Sequence, residues 1–286
     1  VSGAFHNDAG LKAQACTEAA AGSNPGWSVI ATDEERAACS ARYNLHASFI
    51  NLLSHGFHVP YGEGALPLLE RALLSLAPGA DTLVLVRNWV NRLWVDPEIG
   101  MKARLDGTVA FAPAEQVIRL VRQSAREPVS RDEWRRARGA LNSVKAQAPE
   151  LAPYVEMVAT MAWDLATTPK VTTDIWNAWQ TSVSSVLDRE AGWDKDKQDE
   201  VLEAFRRSLH EAHEEIGQLS AEVAASAEHN ARVNGLVQAK MEAAGQAGKF
   251  QSLQDHFAST MTPAMMKWRE VAHQSLLDAC RMAEGS

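Results

Sequence analysis

The chain has 286 residues, 46% hydrophobic and 22% charged, with a formal net charge of −8. That length can bury one large core or two intimate ones, and the negative balance disfavours a general nucleic-acid or anionic-membrane role, because both demand positive potential. No run of about 18 apolar residues occurs, so no membrane span is expected.

Almost every segment carries helical signals. An Ala-rich helix is predicted from about Asn7 to Ala21, then a loop through Pro25 and Gly26. Thr32 and Glu35 form a capping box opening a helix toward Ser54, with Ala38, Ala41, Leu45, Phe49 and Leu52 inward. Leu66 to Leu76 is short and apolar. Asp81 caps a helix carrying Leu83, Val86, Trp89, Val90, Leu93 and Trp94. The stretch from Asp96 to Pro113 is the least helical, and Thr108 to Phe111 reads as a short extended segment. Pro113 opens a helix to Ala125, and Ser130 with Glu133 is a second capping box. Tyr154 to Ala166 reads as a central helix whose polar stripe is Glu156, Thr160 and Asp164. Thr173 or Asp174 caps the next helix, and Thr262-Pro263 opens the last.

The longest periodic signal runs through Val201, Phe205, Leu209, Ala212, Ile216, Leu219, Val223, Ala227, Asn230, Val233, Val237 and Met241. Its mean step of about 3.6 residues predicts one straight helix, about 194–234 or longer, packed on a globular body. Asn234-Gly235 is its predicted weak point. The expected architecture is an all-α, multi-helix bundle in which this long C-terminal helix packs against a final helix. The predicted parts are an N-terminal body, 1–192, and a C-terminal helical hairpin, 193–286, sharing one core.

Chemical motifs are sparse. His46, His55 and His58, with Tyr61 and a Gly-rich loop, could line a pocket for acid/base work or ligand binding. His55 also has a structural reason to sit at a helix C-terminus. His210 and His213 share a helix face at i, i+3. A di-iron bundle would need a second Glu-x-x-His beside Glu270 to His273, so no metal site and no cofactor are expected. Asp194-x-Asp196 begins like a calcium loop but lacks its Gly and closing Glu. Nucleotide loops and nucleophile elbows are absent from the sequence.

Arg131, Arg135, Arg136 and Arg138, with Arg126, read as a solvated basic face diluted by Asp132 and Glu133. Trp89, Trp94, Trp134, Trp163, Trp176, Trp179 and Trp268 fall at core-compatible positions, whereas Trp27 and Trp193 fall in loops as exposed anchors. The three cysteines, Cys16, Cys39 and Cys280, are too few for a disulfide framework, although Cys16 and Cys39 could pair across antiparallel helices.

These features favour a helical protein-interaction module of adaptor, secretion-associated or toxin-neutralising type. It would bind a basic partner protein through Trp193 and the acidic residues Glu211, Glu214, Glu215, Glu222 and Glu228. The alternative is an all-α enzyme or small-ligand binder using His46, His55, His58 and Tyr61. Self-association through the long stripe is a third reading. The chain begins at Val1, as a processed or trimmed product would. A cytoplasmic location is expected, with export after signal removal as the alternative.

Overall fold

The computed structural model describes residues 3–28, 30–56, 68–190, 195–217 and 227–282. Its α-helices are α1 (Ala9–Ala21), α2 (Asp33–Tyr43), α3 (Ala47–Gly56), α4 (Leu68–Ser75), α5 (Thr82–Val95), α6 (Met101–Leu105) and α7 (Phe111–Gln123). They are followed by α8 (Arg131–Gln147), α9 (Ala152–Ala159), α10 (Val171–Glu190), α11 (Lys195–Ile216), α12 (Ala227–Ala243), α13 (Ala247–His256) and α14 (Thr262–Met282). No strand occurs among the described residues, so the fold is an all-α bundle, and the extended segment expected at Thr108 to Phe111 is a turn leading into α7. No described helix is long and apolar enough to cross a membrane.

Local capping explains several helix starts. Thr32 and Glu35 exchange both bonds of a capping box at α2, as Ser130 and Glu133 do at α8. The Asp81 carboxylate accepts the backbone N–H groups of Leu83 and Val84 at α5. The helix predicted from Thr32 to Ser54 is two helices. Asn44 adopts a left-handed conformation, φ 48°, and ends α2. The break shifts the helical phase, so Cys39 and Tyr43 are buried while Ala38 and Ala41 are exposed.

The chain divides into two compact units, one of Val1–Val183 with Lys267–Ser286 and one of Ser184–Met266. These boundaries, unlike the predicted one at 192/193, fall inside α10 and α14. The first unit holds a ladder of indoles. Trp176 stacks on Trp179 at 5.2 Å, Trp89 lies 6.3 Å from Trp176, and Trp268 lies 6.2 Å from Trp179. His273 stacks on Trp176 at 5.0 Å, and the Trp89 indole N–H donates to the Ala272 carbonyl over 3.0 Å. Aromatic pairs at such spacings add stabilisation beyond their buried area.

Trp27, expected as an exposed anchor, is only 2% exposed and stacks on Tyr43. The Tyr43 hydroxyl donates to Glu18, and that bond holds the Glu18 carboxyl below the usual carboxylate range. The three cysteines are free and buried, and burial pushes the Cys39 and Cys280 thiols up to about 12.

In the second unit the stripe from Val201 to Met241 is not one helix. Helix α11 ends at Ile216, followed by Gly217 at φ 79°, whose N–H returns to the His213 carbonyl. That is a left-handed glycine stop. Helix α12 then packs on α11 in antiparallel sense. His229 near the start of α12 lies 6.4 Å from His213 near the end of α11, ring to ring, and Gln246 just past the end of α12 donates to Glu200 near the start of α11 over 3.0 Å. Val201, Ala204, Ala212, Val233, Val237, Met241 and Leu253 form the shared core, with Phe205 stacked on Phe250 at 4.7 Å. Asn234-Gly235, the predicted weak point, lies inside α12.

A long C-terminal helix is present, but further along the chain. Helix α13, a π turn over Phe257–Met261 and α14 succeed one another without a break in helical backbone. Pro263 accounts for the π turn. A proline lacks an N–H and its ring clashes with the carbonyl four residues back. The Thr262 N–H reaches five residues back to Phe257, the spacing that absorbs such a defect.

Candidate aromatic–arginine cleft

The predicted histidine pocket does not assemble from the described residues. His46 and His55 stand at opposite ends of α3, about 14 Å apart by helical rise. His58 and Tyr61 lie outside the described residues. His55 is held by its own helix end, with Nδ1 3.1 Å from the Asn51 carbonyl and 3.3 Å from the Thr173 hydroxyl.

His46 acts as the N-cap of α3. Its Nδ1 accepts the Ser48 backbone N–H over 3.1 Å, and its own N–H donates to the Thr82 hydroxyl. Burial lowers its pKa despite the nearby Asp81 carboxylate. Protonation would also remove the Nδ1 lone pair that caps the helix. A depressed folded-state pKa contributes stability that is present above the unfolded value, about 6.5, and is lost as pH falls through the folded value. Urea midpoints measured from pH 8 to pH 5 are therefore expected to fall below about pH 6.5. His46→Asn keeps a capping oxygen and should flatten that decline; an unchanged pH profile in the variant would contradict the assignment.

The acidic residues predicted to meet a partner are partly committed within the hairpin. Lys240 engages Glu211 and Glu215, and His210 lies 3.5 Å from Glu214. Glu228 is exposed, while Trp193 and Glu222 lie outside the described residues. Among the described residues, no three His, Cys, Asp or Glu side chains converge as a metal set.

The most developed site lies where sequence patterning expected a buried helix. Helix α9 stops after Ala159, and residues 160–170 form a chain of turns. Asp164 organises them. Its carboxylate accepts the Ala166 N–H at 3.0 Å and the Thr167 hydroxyl at 3.3 Å, and its carbonyl accepts the Thr168 N–H. Arg87, buried on α5, places a guanidinium nitrogen 4.0 Å from the same carboxylate.

Two carbonyls pin the segment to the bundle. Ala162 O accepts from Arg138 at 2.6 Å, and Leu165 O accepts from the Ser48 hydroxyl at 2.6 Å. Ala162 and Leu165 are buried, whereas Trp163 between them is 39% exposed. Its ring is covered by the Arg138 guanidinium, centred 3.8 Å away, a cation–π contact. Arg138 is thus fixed by a stack and a carbonyl bond while other donors of its fork have no protein partner among the described residues. A guanidinium so held is pre-organised for a planar anion.

The surrounding cleft encloses about 550 Å³ and is lined by Pro128, Val129, Arg131, Trp134, Arg138 and Trp163, with Asp164, Thr167 and Thr168. Trp134 carries a buried indole N–H with no hydrogen-bond partner among the described residues. Such an unmet donor costs about 1–3 kcal/mol when buried.

Fold and cleft together define an all-α protein with a cleft lined by aromatic and arginine side chains. Comparisons with protein-family models, curated proteins and solved structures return no match.

Proposed function

We propose that this chain is a helical protein-interaction module that docks a partner protein in the cleft around Trp163. The observation that carries this reading is the display of Trp163, a large aromatic residue held outward between two anchored carbonyls and stacked with Arg138. Tryptophan and arginine dominate interface hot spots because they offer large, pre-ordered contact area with directed donors. The cleft walls add apolar surface from Pro128 and Val129 and hydroxyls from Thr167 and Thr168. An adaptor, a secretion-associated protein or a toxin-neutralising protein would each use such a groove.

The acidic exterior of α11 is a second candidate surface, suited to a basic partner. The cleft takes precedence because two carboxylates of that face, Glu211 and Glu215, are already engaged by Lys240. Of the residues the acid/base alternative would use, His46 is engaged in capping α3 and His55 bonds its own helix end, while His58 and Tyr61 lie outside the described residues.

Trp163→Ala tests the proposal. Loss of an interface tryptophan is expected to weaken partner binding by at least about 30-fold, the equivalent of about 2 kcal/mol. Stability should change by about 1 kcal/mol or less, as for a partly exposed side chain. Partner affinity measured by calorimetry, beside a melting curve for each protein, separates the two quantities. Unaltered affinity in a folded variant would defeat the reading.

A further inference from the structure

We propose that the segment seated in the Trp163 cleft is acidic, a stretch of partner chain that presents a carboxylate to Arg138 and Arg131 and an apolar side chain to Trp163. This deepens the docking reading and rests on it. The charge of the cleft lining selects such a segment. The cleft lining holds two arginines and one acid, Asp164. That acid is consumed internally by Arg87, the Ala166 N–H and the Thr167 hydroxyl. What remains facing an occupant is therefore positive, although the whole chain carries −8.

The two arginines also differ from their neighbours on α8. Arg135 spends its charge on Asp132 at 2.7 Å. Arg131 has no ion-pair partner among the described residues, and Arg138 bonds only a carbonyl. Both lie along one side of α8, about two turns apart. A glutamate or aspartate can accept two parallel N–H bonds from an arginine fork, a geometry that lysine cannot reproduce.

The test uses three fluorescein-labelled peptides of equal length, in which leucine alternates with glutamate, glutamine or lysine, and follows fluorescence anisotropy with the full chain. The glutamate peptide is expected to bind about tenfold or more tightly than the glutamine peptide, as a charge-assisted bond would give. Arg138→Gln should remove that advantage, and Arg138→Lys should restore it only in part. Arg135→Gln, which alters a charge outside the cleft, should preserve it. Equal binding of the glutamate and glutamine peptides, or an advantage untouched by Arg138→Gln in a protein with normal circular dichroism, would overturn the proposal. If the glutamine or lysine peptide binds as well or better and loses affinity in Trp163→Ala, the acidic assignment fails while the docking reading stands. If no peptide binds in a Trp163-dependent manner, both fail.

Discussion

Replacing Trp176 by alanine is expected to destabilise the first compact unit by about 3–5 kcal/mol, the range for emptying a buried aromatic site. Trp176 is buried at the centre of the indole ladder, within 5.2 Å of Trp179, 6.3 Å of Trp89 and 5.0 Å of His273 by ring centroids. The surrounding rings are rigid and cannot collapse into the void, so the cavity term adds to the lost transfer energy. With a urea dependence near 2 kcal/mol per molar, the midpoint should drop by roughly 1.5–2.5 M. Trp176→Phe keeps much of the stack and should lose less than half as much. A loss under about 1 kcal/mol for the alanine variant would mean that the ladder does not organise this core.

The second large effect concerns Asp164. Its carboxylate fastens the 160–170 turns and lies beside Arg87, and the two side chains are 21% and 10% exposed. Asp164→Ala removes two hydrogen bonds and strands a buried guanidinium whose pKa burial already depresses. Removing one partner of a buried pair costs about 3–5 kcal/mol; the 4.0 Å separation and residual exposure place this case near about 2–3 kcal/mol. Arg87→Met added to Asp164→Ala should recover most of that stability, because a methionine leaves no unpaired charge. Binding should stay impaired in the double variant, since the turn that displays Trp163 depends on the carboxylate. Recovery of both stability and binding would show that Asp164 serves only Arg87.

What could be read from sequence was what local chemistry decides. The capping boxes at Thr32 and Ser130 and the Asp81 cap stand as expected, because a capping bond spans only two or three residues. Patterns that need a chain reversal were less legible. The stripe from Val201 to Met241 keeps a helical period on both sides of Gly217, and two amphipathic helices facing each other satisfy the same period as one long helix. Gly217 itself was the available signal, a left-handed stop that the periodicity concealed. Asn44 hid the α2–α3 break in the same way, being a non-glycine residue that tolerates positive φ.

The cleft was missed for a related reason. Trp163 fits an apolar helical face when 154–166 is drawn as a helix, and an exposed tryptophan cannot be told from a buried one by spacing. Asp164 followed by Thr167-Thr168-Pro169 was the discriminating signal, since Asp and Thr side chains bond nearby backbone in turns and the residue before proline avoids helix. The arginines of α8 read as a solvated face because sequence cannot reveal that Arg138 folds onto a neighbouring turn. Trp27 erred in the opposite sense. Its loop position suggested exposure, yet stacking on Tyr43 buries it.

The most direct test of the docking account is a photo-crosslinking amino acid placed at Thr168, on the cleft wall, and separately at Ser143, an exposed position on α8 outside the cleft lining. Irradiation with the partner present is expected to yield a crosslink from position 168, none from position 143, and none from position 168 once Trp163 is alanine. Equal crosslinking from both positions, or a crosslink from 168 that persists in Trp163→Ala, would contradict the cleft as the site of partner binding.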